Sequence, residues 1–315
     1  RQEQCRDQKA EVSGFTIEEL ASLCVGYGPG IPFAAAGDNG QPSAILGENG
    51  NPLTTNSHPA GYAGYVSPAM TEKGIQSVFY KDGPAGIGET AWPTEMLIAC
   101  SFDKTLWYAF GNSVGAECEQ RQVDIWLAPA VNLHRNPLCG RNFEYFSEDP
   151  YLAGKMAASY IKGIQSKGVA ACPKHYAVNS QELRRMASDS VLDERTLREI
   201  YLTNFEIAVK EGNAKAIMSA YNQVNEVYAN ENKHLLQEIL RDEWGFDGIV
   251  ITDWGASNDH TAGVAAGSNL EMPAPGLGSA RELLKSIEEG RLTEKELDEC
   301  VDTLLDAILT FAKKE

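Results

Sequence analysis

No apolar run in the 315-residue chain approaches the ~20 residues that a membrane-crossing helix needs. The N-terminal stretch RQEQCRDQKAE is polar, without the apolar core of a signal peptide, and no membrane partner is expected. Basic residues are scarce: 27 Lys and Arg stand against 44 Asp and Glu, a formal net charge of −17. Such a field repels polyanions, so nucleic acid and anionic membrane surfaces are excluded as partners and a neutral one fits better. No C-x-x-C pair and no Cys/His ligand spacing occurs among the seven scattered cysteines. They read as reduced, mostly buried thiols, which favours a cytoplasmic compartment, with a secreted protein carrying one or two disulfides as the alternative. There is no repeat of fixed period and no linker that would divide the chain in two.

What is present is an ordinary globular composition, 43% apolar and 23% charged. Short apolar runs bounded by polar or glycine-containing segments read as strands buried on both faces: residues 76–80 (QSVFY), 124–129 (DIWLAP), 169–173 (VAACP), 216–221 (AIMSAY) and 248–254 (GIVITDW). Helical spacing links Leu106, Phe110, Val114 and Cys118, and again Leu197, Ile200, Tyr201, Phe205 and Val209. Gly168 and Gly212 are placed to stop these helices, another helix is expected over residues 233–241, and the tail from Glu294 reads as a packed closing helix. Alternation of this kind predicts an α/β fold, a single TIM-type (β/α)8 barrel domain. Residues 27–65, dense in Gly, Pro, Asn and Ser, read as a long loop or insertion, so the first βα unit is expected to be irregular or incomplete.

Active sites of such barrels lie at the C-terminal ends of the strands. There the chain carries Asp82, Arg141, Lys174, His175, Met218, Tyr221, Asp253 and Trp254. Each has a structural reading when taken singly. Asp82 before Gly-Pro can start a turn, Lys174 and His175 can be a solvated pair, Asp253 can cap the next turn, and Trp254 can be core. Glu144, Glu148 and Asp149 can be acidic surface ahead of a helix beginning near Pro150, with Ser147 as its N-cap. Convergence on one mouth changes the weighting. Charged groups can form bidentate bonds to neighbouring hydroxyls, and an aromatic face packs on sugar C–H groups, so the set points to a saccharide pocket.

These segments also carry a family resemblance. GRNFEYFSEDPYL (140–152), Lys174-His175 followed by Asn179, DERTLREIY (193–201), MSAYNQVN (218–225) and ITDWGA (251–256) together resemble glycoside hydrolase family 3, from about Phe15 to the C-terminus. The resemblance implies residues 1–14 as an extension or linker remnant and residues 15–315 as the barrel domain. It also implies a retaining, exo-acting β-glucosidase that hydrolyses terminal non-reducing β-D-glucosyl residues. Asp253 would be the nucleophile, forming a covalent glycosyl-enzyme; Arg141, Lys174 and His175 would clamp hydroxyls, and Asp82 would hold the remote end of the ring. Met218 and Tyr221 would line the pocket, and Trp254 would pack beside the sugar. No metal or other cofactor is implied. Arg141 and Lys174 are expected to lower the pKa of Asp253.

The acid/base of most family members is a Glu on an α/β sandwich domain, which this chain does not contain. The loop KHYAVNSQELRRM is unlike the KHFPGHG pattern of the single-barrel N-acetylglucosaminidases, so the acid/base is expected from a companion chain or from a segment outside a fragment that starts at Arg1. Glu144, Glu148, Asp149, Glu182 and Glu271 are assigned to structure or hydroxyl binding, with Glu271 stabilising its own loop. The alternatives are a β-xylosidase or another family 3 exo-glycosidase, disfavoured by Asp82, and a catalytically incomplete sugar-binding barrel.

Overall fold

The structure is a computed structural model that describes residues 14–27, 45–57, 65–88, 90–273 and 279–312. Its strands are β1 (Tyr65–Val66), β2 (Phe79–Asp82), β3 (Ile125–Leu127), β4 (Ala170–Ala171), β5 (Lys174–Tyr176), β6 (Asp189–Ser190), β7 (Ala216–Ser219), β8 (Gln223–Val224), β9 (Val227–Tyr228) and β10 (Ile249–Thr252). β2, β3 and β4 pair in parallel, as do β5, β7 and β10. A parallel bridge from Ala130 to Lys174 joins the two sheets. Beyond β10, single bridges link Ile251 to Leu270, Val25 to Glu271 and Tyr27 to Val66. The result is a TIM-barrel-like arrangement, whose irregular element is β1, paired antiparallel with β2. The segment 27–65 thus begins beside β1, at the Tyr27–Val66 bridge, and ends within β1; its residues 28–44 and 58–64 lie outside the described residues.

The period-2 alternation of strand side chains divides the core into two layers. Tyr80, Ile125, Leu127, Ala170, Cys172, Ala216, Met218, Ile249 and Ile251 form one cluster, and the helices Ile17–Leu23 and Glu294–Phe311 contribute Leu23 and Leu304 to it. Phe79, Trp126, Ala171, Ile217 and Val250 face the opposite way, against the helices Lys104–Gln120 and Pro150–Gln165. Trp126 meets Tyr160 edge on at 5.8 Å, and Phe110 stacks on Tyr160 at 5.0 Å. These two helices approach closely because Gly111 and Gly163 lie at their contact. A Cβ at either would stand 2.3 Å from a carbonyl of the opposing helix, Tyr160 O or Tyr108 O.

Two local expectations change and one holds. The helix from Pro150 is capped by Asp149, whose Oδ1 accepts from Leu152 N at 2.9 Å, while Ser147 Oγ accepts from Asp149 N one step earlier. Both helices stop where expected: Gly168 adopts the left-handed conformation after the first (φ 74°), and the second ends at Lys210 just before Gly212, with Asn213 the left-handed residue beyond it (φ 55°). Lys174 and His175 belong to a strand rather than to the loop after one, because pairing continues past the Cys172–Pro173 break.

Candidate active site

Strand ends position the site. Asp82 closes β2, Lys174 and His175 lie in β5, Met218 lies in β7 opposite both Lys174 and Ile251, and Asp253 follows β10 directly. Gly83 turns the chain away at once with φ 126°, and a Cβ there would lie 2.5 Å from Gly86 O, so the Asp-Gly pair needs its glycine.

Lys174 and His175 are no solvated pair: they are 2% and 1% exposed. The Lys174 ammonium donates to Asp82 Oδ1 at 2.5 Å, and the Asp82 side chain is 64% exposed, which sets it at the solvent mouth. Burial alone would push the Asp82 carboxyl up; the Lys174 charge and hydrogen bond, the Arg141 charge and the Gly83 N–H outweigh it and hold it below its ordinary value.

Asp253 is 8% exposed. Its Oδ1 accepts from the Trp254 N–H at 2.8 Å, which realises the turn-capping role, while Oδ2 has no hydrogen-bond partner and lies 3.6 Å from His175 Nε2. The expected downward pull of Arg141 and Lys174 is present, but it does not decide the net direction. Burial pushes the Asp253 carboxyl up, and this outweighs the Lys174 charge, the Trp254 N–H and the charges of Arg141 and Arg185, all of which pull it down. His175 is held well below its ordinary pKa by burial and by the charges of Arg141, Lys174 and Arg185, so the ring is neutral and its approach to Asp253 is no ion pair.

Arg141 stands at the head of the short helical turn Asn142–Glu144, and its Nε donates to Glu144 Oε1 at 2.5 Å. Tyr221 donates its hydroxyl to Trp254 O at 2.6 Å, and Trp254 meets Tyr65 edge on at 4.8 Å. Met218 is 1% exposed within the apolar strand cluster.

Three participants escaped the sequence. Arg185 places its guanidinium 4.4 Å over the Tyr221 ring and donates to Glu182 at 2.7 Å, adding a third cation whose charge reaches Asp253. Its signal was the LRRM run. Asn132 pairs with His175 across 43 residues, which no local pattern displays. Glu95 is fully buried, accepts from Ala130 N at 2.9 Å, and is pushed well up by burial and then by the Glu144 charge. A separate cavity of about 290 Å³, lined by Arg135, Asn179, Tyr201 and Asn222 among others, is lined by none of the eight expected site residues.

Among the described residues no group of three or more His, Cys, Asp or Glu is placed to hold a metal ion, and no helix is long and apolar enough to cross a membrane. The fold and site define a TIM-barrel-like protein whose strand ends gather one buried carboxylate with cations and aromatic rings. The chain belongs to glycoside hydrolase family 3: the model described as "Glycosyl hydrolase family 3 N terminal domain" matches residues 66–307. It is 45% identical over 251 residues to thermostable beta-glucosidase B of Acetivibrio thermocellus, covering 75% of this chain and 33% of the relative. An exo-alpha-(1->6)-L-arabinopyranosidase of Bifidobacterium longum is 41% identical over 256 residues, 76% of this chain and 34% of the relative. The solved structure of beta-glucosidase 3B from Thermotoga neapolitana in complex with alpha-D-glucose matches with a TM-score of 0.82 at 39% identity, covering 95% of this chain and 42% of that one. The chain spans about a third of the length of the curated relatives it matches.

Proposed function

We propose that residues 15–315 form the (β/α)8 barrel of a retaining, exo-acting β-glucosidase, with residues 1–14 an extension. The barrel would release terminal β-D-glucosyl residues through a covalent glycosyl-enzyme on Asp253. The observation that carries this reading is the Asp253 carboxylate: buried at a strand end, fixed through one oxygen by the Trp254 N–H, with the other oxygen free of partners. A nucleophile for an anomeric carbon needs such a held group with one open lone-pair face. Burial strips its hydration, and the charges of Lys174, Arg141 and Arg185 favour the ionised form it must keep.

Around it, Lys174 and Arg141 supply donors for hydroxyls, Asp82 supplies an acceptor at the exposed mouth, and Tyr221 fixes the Trp254 backbone. Asp82 standing at the mouth favours a hexose, whose extra hydroxymethyl group it would receive. Retention requires a second carboxyl group ~5–5.5 Å from the first, acting as acid and then base. Glu144 and Glu182 are engaged by Arg141 and Arg185, and Asp149 by its helix cap; the acid/base is assigned, as the family resemblance implies, to an α/β sandwich domain or a companion chain. The length of the relatives supports this, since the chain spans a third of it.

The match to an arabinopyranosidase favours one second reading, another exo-glycosidase of the same family. Dinitrophenyl glycosides test both, because their leaving group departs with little acid help. The expected result is a burst of dinitrophenolate equal to the chain concentration from the β-glucoside, absent in Asp253→Asn. A burst only from a pentoside would move the reading to the second specificity. Glucose binding with no burst would replace the enzyme by a sugar-binding barrel.

A further inference from the structure

Asn132 follows β3 and is 3% exposed. Its carboxamide docks edge to edge on the His175 backbone: Nδ2 donates to His175 O at 2.9 Å, and Oδ1 accepts from His175 N at 2.7 Å. This pair of hydrogen bonds fixes which end of the amide is oxygen, because a flipped group would set donor against donor and acceptor against acceptor. The same Oδ1 lies 3.2 Å from His175 Nδ1. A carboxamide oxygen can only accept, so Nδ1 carries the proton. A neutral imidazole has one N–H, which leaves Nε2 bare. Nε2 is the ring atom that faces Asp253, at 3.6 Å from an Oδ2 that has no partner. That separation is longer than an N–H···O bond, as two facing lone pairs require.

We propose that Asn132 is a positioning residue that locks His175 in its Nδ1–H form, so that Nε2 and Asp253 Oδ2 present two acceptors side by side and the ligand group set against them must be a hydroxyl donating its proton. The nature of that ligand rests on the glycosidase reading; the tautomer does not. One consequence is chemical selectivity. A deoxyfluoro sugar, whose fluorine can accept but not donate, loses as much affinity at the facing position as the deoxy sugar does. A donor His175 would instead restore it.

Long-range ¹H–¹⁵N correlation spectra of the ¹⁵N-labelled chain near neutral pH test the proposal, with the His175 signals assigned by their loss in His175→Asn. The expected pattern is a protonated Nδ1 and a bare, pyridine-type Nε2. A protonated Nε2, alone or together with Nδ1, overturns the proposal in the wild-type chain, whether or not any variant folds. In Asn132→Leu the ring is expected to shift toward the Nε2–H form, which can donate to Asp253, with glucose affinity falling about three- to tenfold. An unchanged tautomer in a folded Asn132→Leu overturns the role of Asn132. Failure of the glycosidase reading is separately visible, as an Nδ1–H ring in a chain that neither binds glucose nor forms a glycosyl-enzyme.

Discussion

Asp253→Asn isolates the charge of the central carboxylate while keeping its shape. In the wild type Oδ1 accepts from the Trp254 N–H, and Oδ2 is buried without a partner beside the bare Nε2 of His175. Asparagine keeps the first bond and turns the second atom into a donor aimed at that lone pair. The contact of 3.6 Å has only to shorten by a few tenths of an ångström to become a hydrogen bond. One net hydrogen bond contributes about 0.5–1.5 kcal/mol. Unfolding entropy of ~2.1 cal/mol/K per residue over the 315-residue chain converts this to a rise in Tm of about 1–2 °C at pH 7. Removing a buried charge acts in the same direction. The pH dependence follows from the raised pKa. The folded state binds the Asp253 proton more tightly than the unfolded chain, so ionisation costs stability as pH rises from the unfolded value of 3.8 through the folded one. The advantage of Asp253→Asn is therefore full above that window and closes as pH falls toward 4. Calorimetric melts of both chains across that range decide the matter. A variant that melts at or below the wild type at pH 7, or one whose advantage is the same at both ends of the range, refutes the reasoning.

Three further outcomes are expected. Asp82→Ala removes the charged acceptor at the mouth, so glucose affinity measured by titration calorimetry should fall about 10- to 100-fold, while that for xylose, which lacks the remote hydroxymethyl group, changes far less; equal losses would remove Asp82 from that role. Arg185→Met deletes a cation that helps keep Asp253 ionised, so the acid limb of glycosyl-enzyme formation should move to higher pH, and a limb moving to lower pH would contradict the assignment. Asp149→Ala should cost about 1 kcal/mol in denaturant unfolding, and more than Ser147→Ala, because Asp149 and not Ser147 caps the helix from Pro150.

Strands free of charged residues were legible in the sequence: β3, β7 and β10, the last two ending in Ser219 and Thr252, all fall inside the runs marked by composition. Where ionisable residues fall within a strand, the reading stopped early. VAACP was ended at Pro173, yet pairing resumes over Lys174–Tyr176, and β2 runs on through Lys81 and Asp82. Those side chains tolerate strand positions because Asp82 and Asn132 satisfy Lys174 and His175, and such pairing across the barrel leaves no local trace. Bridges at Val25 and at Leu270 and Glu271 are too short to show any periodicity. The helix cap was misplaced by two residues because Ser and Asp are both good caps and only geometry chooses between them. Strand ends and family segments together marked eight expected site residues, of which Met218 is packed within an apolar cluster. The direction of the Asp253 shift was not legible, because its sign is a balance of burial against charges whose distances the sequence does not contain.

The central claim is that Asp253 is a glycosyl-accepting nucleophile. Incubation with 2-deoxy-2-fluoro-β-glucosyl fluoride tests it most directly, because this reagent expels its own leaving group without an acid and stalls at the glycosyl-enzyme. Intact-mass spectrometry followed by peptide mapping should show a single adduct, on Asp253. An adduct on any other carboxylate, or none from a chain that binds glucose, would contradict the account.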